Sequence, residues 1–264
     1  MTAPSTDWPE VRWPAGVGLK ALETTDSTNE EARRLAEAGE PSPIWIWARE
    51  QTAGRGRRAR AWKSGADDLT ATLLLRPSAL RPTARPGESA TLSYAAALAL
   101  SDALAMIAPT ANTRLKWPND VLADGRKIAG ILLEGRSDPR FGDWVAIGIG
   151  LNIATAPNAQ EVEAGAWEST ALARYLSAPP APDDALRLLA AAFQRRLQDW
   201  ALDGFAALRT DWLSRAARLG ETVEARLGAS SVTGRFVDVD ADGALVLETP
   251  NGVRRISAAD VYFP

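Results

Sequence analysis

Residues able to do chemistry fall in four short stretches of this chain. The most highly charged is residues 51–62, QTAGRGRRARAW, where Arg55, Arg57, Arg58 and Arg60, with Lys63 just beyond, follow Gln51 without an intervening anion. Gly54 and Gly56 allow a ligand close to the backbone, and guanidinium forks match phosphate or carboxylate oxygens in pairs. The stretch is not a P-loop, because the Gly-Lys-Ser/Thr ending is missing. On its own it suits a solvated basic loop, a phosphate-binding loop or a minor-groove hook.

The second stretch is KWPND at 116–120 with RKIAGILLE at 126–134. Lys127 opens an apolar strand just after a tight turn. Its ammonium could stand at the rim of a buried cavity and neutralise a carboxylate or phosphate, or it could simply flank a hairpin. Pro118 fixes a turn that Asn119 and Asp120 could cap, or from which they could bond a ligand. The third is GIGLN at 148–152, where Gly148 and Gly150 weaken an apolar strand, so a ligand ring or a tightly packed helix approaches there. Asn152 follows with a donor and an acceptor. The fourth is DSTN at 26–29, a strand-to-helix junction offering free N–H groups and hydroxyls, with Ser27 and Glu30 spaced as a capping box.

Two absences narrow the chemistry. With no cysteine, disulfides, thiolate zinc sites and thiol nucleophiles are excluded. With no histidine, Ser-His-Asp triads, imidazole bases and His-ligated metals go too. Lysine, arginine, carboxylates and amides remain, a set suited to stabilising anions. The net charge of −3 gives no support for a nucleic-acid partner. The longest apolar run, residues 94–108, is interrupted by Ser101 and Asp102, and residues 1–12 lack a secretory pattern. No membrane partner and a cytoplasmic location are therefore expected.

The elements that must position these residues follow from periodicity. Strands are expected at 17–25, 44–51, 69–76, 113–117, 127–134 and 144–153, with Asp124-Gly125 as the tight turn between 113–117 and 127–134. Helices are expected at 27–38, closed by Gly39, and at 88–108, 169–176, 183–201 and 205–218. Residues 52–68 are read as an irregular loop and 80–87 as a surface connection. After Gly220 come short alternating strands at 221–227, 232–239, 244–248 and 253–257, with hairpin turns at Asp242-Gly243 and Asn251-Gly252. The body is thus α+β with a mixed or antiparallel sheet flanked by helices, and the end is a small barrel-like β module.

In this order and spacing, DSTN, QTAGRGRRARAW, KWPND, RKIAGILLE and GIGLN, with a short β module after them, resemble the biotin–protein ligases, from residue 17 to residue 263. The resemblance implies a class II synthetase-like catalytic domain at 17–218, a small SH3-like barrel at 219–264 and an N-terminal tail at 1–16. It implies ATP and biotin as substrates with Mg²⁺, a biotin carboxyl carrier domain of a carboxylase as partner, and biotinyl-5′-AMP as intermediate; a homodimer is left open. Residue by residue, Ser27, Thr28, Asn29 and Gln51 would hold the ureido ring. Gly54, Arg55, Gly56 and Arg57 would close over biotin and the adenylate, and Lys127 would meet the reacting carboxylate and phosphate. Lys116, Asn119, Trp62, Asn152, Arg55, Arg57 and Arg60 would contact the nucleotide, Gly130 and Gly148 would line the biotin cavity, and no protein-held metal is implied. Asp120 is the candidate for accepting or orienting the proton of the carrier lysine.

The chain departs from the family pattern at Ala59, where a glycine is usual, and at the acidic segment 64–68. With only residues 1–16 ahead of the first strand, it is expected to resemble the ligases that lack a DNA-binding module. A lipoate–protein ligase of the same fold is the nearest alternative; cysteine-dependent octanoyl transferases are excluded. A non-catalytic biotin-binding or nucleic-acid-binding protein is the alternative of another class.

Overall fold

Two apolar segments, LTATLLL and WVAIGIGL, have every residue buried, as expected of strands covered on both faces. They form the middle of a seven-stranded sheet in this computed structural model, which describes residues 8–9, 11–84, 87–157, 167–227, 230–257 and 259–262. The strands are β1 (Gly18–Thr25), β2 (Ile44–Gln51), β3 (Leu69–Leu75), β4 (Thr113–Lys116), β5 (Asp120–Ala123), β6 (Arg126–Arg136) and β7 (Trp144–Leu151). Their order across the sheet is β1-β2-β3-β7-β6-β5-β4. β1 and β2 run parallel and the other neighbours antiparallel, so the sheet is mixed.

Alternation along the strands decides which helix covers which face. Ile46, Leu74 and Ala146 point to the side where α1 (Thr28–Glu37) lays Ala32 and Ala36. Trp45, Leu73 and Ile147 point to the other side, toward α3 (Leu92–Ile107), α4 (Pro182–Asp203) and α5 (Phe205–Ser214). There Trp45 meets Phe193 edge-on at 5.8 Å. A single turn, α2 (Pro77–Leu80), leaves β3. By length and composition residues 88–107 could cross a bilayer, contrary to the run-length expectation, yet most of that segment is buried inside the fold. The polar pair within it is used: Arg215 donates to Ser101 and Asp102, and Arg196 to Asp102.

Several local expectations are corrected. KWPND is not only a turn, because its last residue begins β5, which pairs with both β4 and β6. Asp124 and Gly125, both at positive φ, therefore join β5 to β6. Residues 169–176 hold one 3₁₀ turn, Leu172–Arg174, because Ser169 bridges to Lys127 and Thr170 N–H donates to Lys127 O. Ser27 precedes α1 without a side-chain cap bond, and Glu30 turns to Arg33 and Arg55 instead. Residues 52–68 contain a small hairpin: Trp62 N–H donates to Gly54 O, Gly56 N–H to Arg60 O, and Arg55 bridges Ala61.

The C-terminal module is a second sheet of β8 (Thr222–Leu227), β9 (Ser230–Val239), β10 (Leu245–Thr249), β11 (Gly252–Ile256) and β12 (Asp260–Tyr262), in the order β11-β10-β9-β8-β12. All of its pairings are antiparallel, consistent with an SH3-like fold. Strand β12, too short for periodicity to reveal, pairs with β8. The module is fastened to the body where Tyr94 OH and Trp117 Nε1 both donate to Gly243 O, at 2.6 and 3.2 Å.

Candidate active site

Gly130, Gly148 and Gly150 of the two apolar strands lie together on one patch of sheet. Gly130 of β6 pairs with Gly150 of β7, and Leu132 with Gly148, leaving a floor without side chains. Two protein groups use it. A Cβ on Gly148 would come within 2.2 Å of Asn29 Oδ1, and one on Gly150 within 2.2 Å of the Trp62 ring. The question of what approaches these glycines thus has a double answer, an amide from α1 and an indole from the arginine loop. Trp62 Nε1 is buried without an acceptor among the described residues, a donor a ligand could satisfy.

Above this floor is a cavity of about 440 Å³, large enough for an organic ligand. At one end, Thr28 donates through its backbone N–H (2.8 Å) and its hydroxyl (3.1 Å) to Gln51 Oε1. The Thr28 hydroxyl accepts from Thr72 at 2.8 Å. Of the sequence-derived candidates, Thr28, Gln51, Arg55, Gly56, Arg57, Arg60, Trp62, Lys116, Asn119, Asp120, Lys127, Gly130, Gly148 and Asn152 line the cavity. Ser27, Asn29 and Gly54 do not. Asn29 is buried against the floor at Gly148, donating to Glu134 (2.8 Å) and accepting from Thr72 (2.7 Å). The buried Ser27 gives its backbone N–H to Asp26.

The polar end is built around one carboxylate. Lys127 Nζ lies 2.6 Å from Asp120 Oδ1, and Lys116 Nζ lies 3.4 Å from Asp120 Oδ2. Lys127 is no mere flank of a hairpin: it is the second residue of an eleven-residue strand, and its backbone bonds Glu168 and Thr170. Burial alone would raise the Asp120 pKa, but the charges of Lys127 and Lys116 outweigh it and hold it below its ordinary value. Burial pushes the Lys116 ammonium down, with Asp120 opposing. Asn119 is stitched to β6, exchanging backbone and side-chain bonds with Ile131. Asn152 donates to Thr170 O.

The arginine loop forms the roof. Arg55 pairs with Glu30 at 2.6 Å and reaches Glu134 at 3.5 Å. Arg57 donates to Asn119 Oδ1 and Ala259 O, both at 3.3 Å. Burial lowers its guanidinium pKa against the pull of the Asp260 and Asp120 carboxylates. The acidic end of the loop has a structural use, since Asp68 accepts from the N–H groups of Ile153, Ala154 and Thr155 and ties the loop to the end of β7. Ala59 lies on the 3₁₀ turn Arg57–Ala59 at the loop tip. Sequence reasoning missed Thr70, Trp167, Asp260 and Tyr262 among the lining residues. Trp167 stands 5.2 Å over Lys116; of these, only its type, a large aromatic beside a basic site, gave any signal.

A mononucleotide and a small acyl group would fit this combination of bare floor, lysine-flanked carboxylate and basic roof. Two family profiles match the chain: biotin/lipoate A/B protein ligase over residues 21–152, and biotin protein ligase C terminal domain over residues 219–263. A biotin–[acetyl-CoA-carboxylase] ligase of Paracoccus denitrificans is 46% identical over 92% of this chain and 99% of its own length. The ligase of the same name from Mycobacterium tuberculosis is 35% identical over 94% and 90%. The biotin protein ligase from Aquifex aeolicus, solved in complex with biotin and ATP, superposes with a TM-score of 0.76 at 26% identity, over 93% of this chain and 97% of that one. The resemblance carried by the motifs is therefore borne out, and the chain belongs to the biotin protein ligase family.

Proposed function

We propose that this chain activates biotin with ATP and transfers it to one lysine of a carboxylase carrier protein, the reaction its relatives are named for. In the first step a biotin carboxylate oxygen attacks the α-phosphorus, the bond to the bridging oxygen breaks, and pyrophosphate leaves with its electrons. In the second, the neutral amine of the carrier lysine attacks the acyl carbon, AMP leaves, and the nitrogen loses its extra proton. The observation that carries this reading is the single cavity joining the Thr28–Gln51 end to the Lys127–Asp120–Lys116 end beneath an arginine roof.

Roles follow from position. Thr28, Gln51 and the floor at Gly130 and Gly148 take the uncharged ring of biotin. Ser27, Asn29 and Gly54 support that end from outside the cavity lining. Lys127, Arg55 and Arg57 meet the biotin carboxylate and the α-phosphate, where two anions must converge. Lys116, Asn119, Asn152, Trp62 and Arg60 take the nucleotide. The roof excludes water from the mixed anhydride until the carrier arrives. Asp120 is assigned a different part from proton acceptance: with two ammonium groups holding its pKa down, it is a weak base, and it serves by aiming Lys127 and Lys116.

Among the described residues no group of three or more His, Cys, Asp or Glu could hold a metal. Mg²⁺ therefore fits as part of the MgATP substrate, bound largely by phosphates and water. Residues 17–218 form the catalytic domain and 219–264 the C-terminal one, and the cytoplasm, where ATP and carboxylases meet, is the expected compartment. Biotin-dependent ATP–pyrophosphate exchange tests the reading. Exchange driven by lipoate and not by biotin would replace it with lipoate ligation.

A further inference from the structure

Asp260 belongs to β12, the last strand of the C-terminal module, yet its carboxylate lines the cavity of the other domain. It gathers three guanidiniums of one loop. Arg58 Nη1 lies 2.9 Å and Arg60 Nη2 3.0 Å from Oδ2, and Arg57 Nη1 lies 3.8 Å from Oδ1. Arg57 and Arg58 also donate to backbone carbonyls of the module, Ala259 and Arg226. The loop tip thus rests on the second sheet rather than on the first. Arg58 has a φ of 55°, a left-handed conformation that costs energy for a side-chain-bearing residue unless contacts repay it. Three like charges within four residues repel, and a shared carboxylate is what lets them converge. The module that presents the carboxylate is fastened to the body, since Gly243 O accepts from Tyr94 and Trp117, and Arg57 also bonds Asn119 of the body.

We propose that Asp260 is a positioning residue for adenylation: from the C-terminal module it gathers Arg57, Arg58 and Arg60 so that the triphosphate of ATP meets a preassembled cationic roof. This inference rests on the ligase reading and deepens it, giving the module a task in the first half-reaction. An alternative has the opposite sign. If Asp260 merely subtracted charge from an anion site, neutralising it would strengthen nucleotide binding.

The test is biotin-dependent ATP–pyrophosphate exchange by the full chain at low salt. Asp260→Asn should raise KM for ATP about tenfold and leave kcat within about twofold, as expected when charge-assisted contacts lose their alignment. Asp260→Glu should recover part of the loss. Arg58→Gln, which alters a residue outside the cavity lining, should raise KM by a smaller factor and add little in the Asp260→Asn background. This second variant keeps the test sound should Asp260→Asn fail to fold. Absence of biotin-dependent exchange in the unaltered chain would sink the ligase reading itself. Normal exchange with an unchanged or lowered KM in Asp260→Asn, or an unchanged KM in Arg58→Gln, would overturn the positioning role.

Discussion

Two carboxylates organise the charged lining of the cavity, both acting on Arg57 and Lys116, and they do so in different ways. Asp120 sits at the start of β5, next to the β4 edge of the sheet, 12% exposed at its side chain, and holds two lysines that also come from the sheet. Asp260, at 14% hardly more exposed itself, sits on a three-residue strand. It holds arginines on a loop whose side chains are 25–42% exposed, against 8% and 25% for Lys116 and Lys127. The first cluster is a fixed electrode, little screened by salt and costly to break. The second is a latch whose cations are the more exposed partners, weak pair by pair and open to competition from phosphate. A site that must both stabilise charge and admit substrates needs one of each.

The comparison is open to direct attack. Lys127→Ala removes the fixed charge at the reacting centre and should lower biotin-dependent pyrophosphate exchange by about a thousandfold, roughly 4 kcal/mol of transition-state stabilisation, with circular dichroism unchanged; substantial residual exchange would remove the electrode from the account. Asp120→Asn leaves two lysines facing each other in a buried site and should cost about 3 kcal/mol of stability by denaturant unfolding. Its pH dependence has a definite sign. The folded pKa lies below the ordinary 3.8, so the stabilisation from Asp120 is fully present above that value and is lost only as pH falls through the depressed one. The gap between the unaltered and variant midpoints should stay level from neutrality down to about pH 5 and close only in stronger acid.

Gly148→Ala drives a Cβ to 2.2 Å from Asn29 Oδ1 and should cost about 2 kcal/mol by overpacking, whereas Gly56→Ala, whose Cβ would meet nothing nearer than 3.6 Å, should leave the melting temperature almost unmoved. Raising salt from about 0.1 to about 0.5 M should increase KM for ATP severalfold while thermal stability scarcely changes. Equal sensitivity of both would show the two clusters to be alike.

How much was legible in the sequence follows the same division. Lys127 was readable because it opens an apolar strand after a tight turn, features that are local in the chain, whereas the parts given to Lys116 and Asp120 came from the motif resemblance. The glycine floor was readable as a close approach, though not that Asn29 and Trp62 make it. Strand β5 was hidden because Trp-Pro-Asn-Asp has turn chemistry, and its strand character comes from β4 and β6 on either side. Residues 169–176 carry helical spacing, but hydrogen bonding to Lys127 takes their backbone instead, a tertiary override of local preference. Asp260 had no signature at all: its partners lie about 200 positions earlier, and nothing in the spacing of an acidic residue near a chain end marks it as the seat of a distant loop.

The most direct measurement is the intact mass of a carboxylase carrier domain after incubation with this chain, biotin and MgATP. A single biotinyl increment on one lysine, requiring all three components and lost with Lys127→Ala, is the expected result. A carrier left unmodified by biotin, or modified equally well by the Lys127→Ala chain, would contradict the assignment of this cavity.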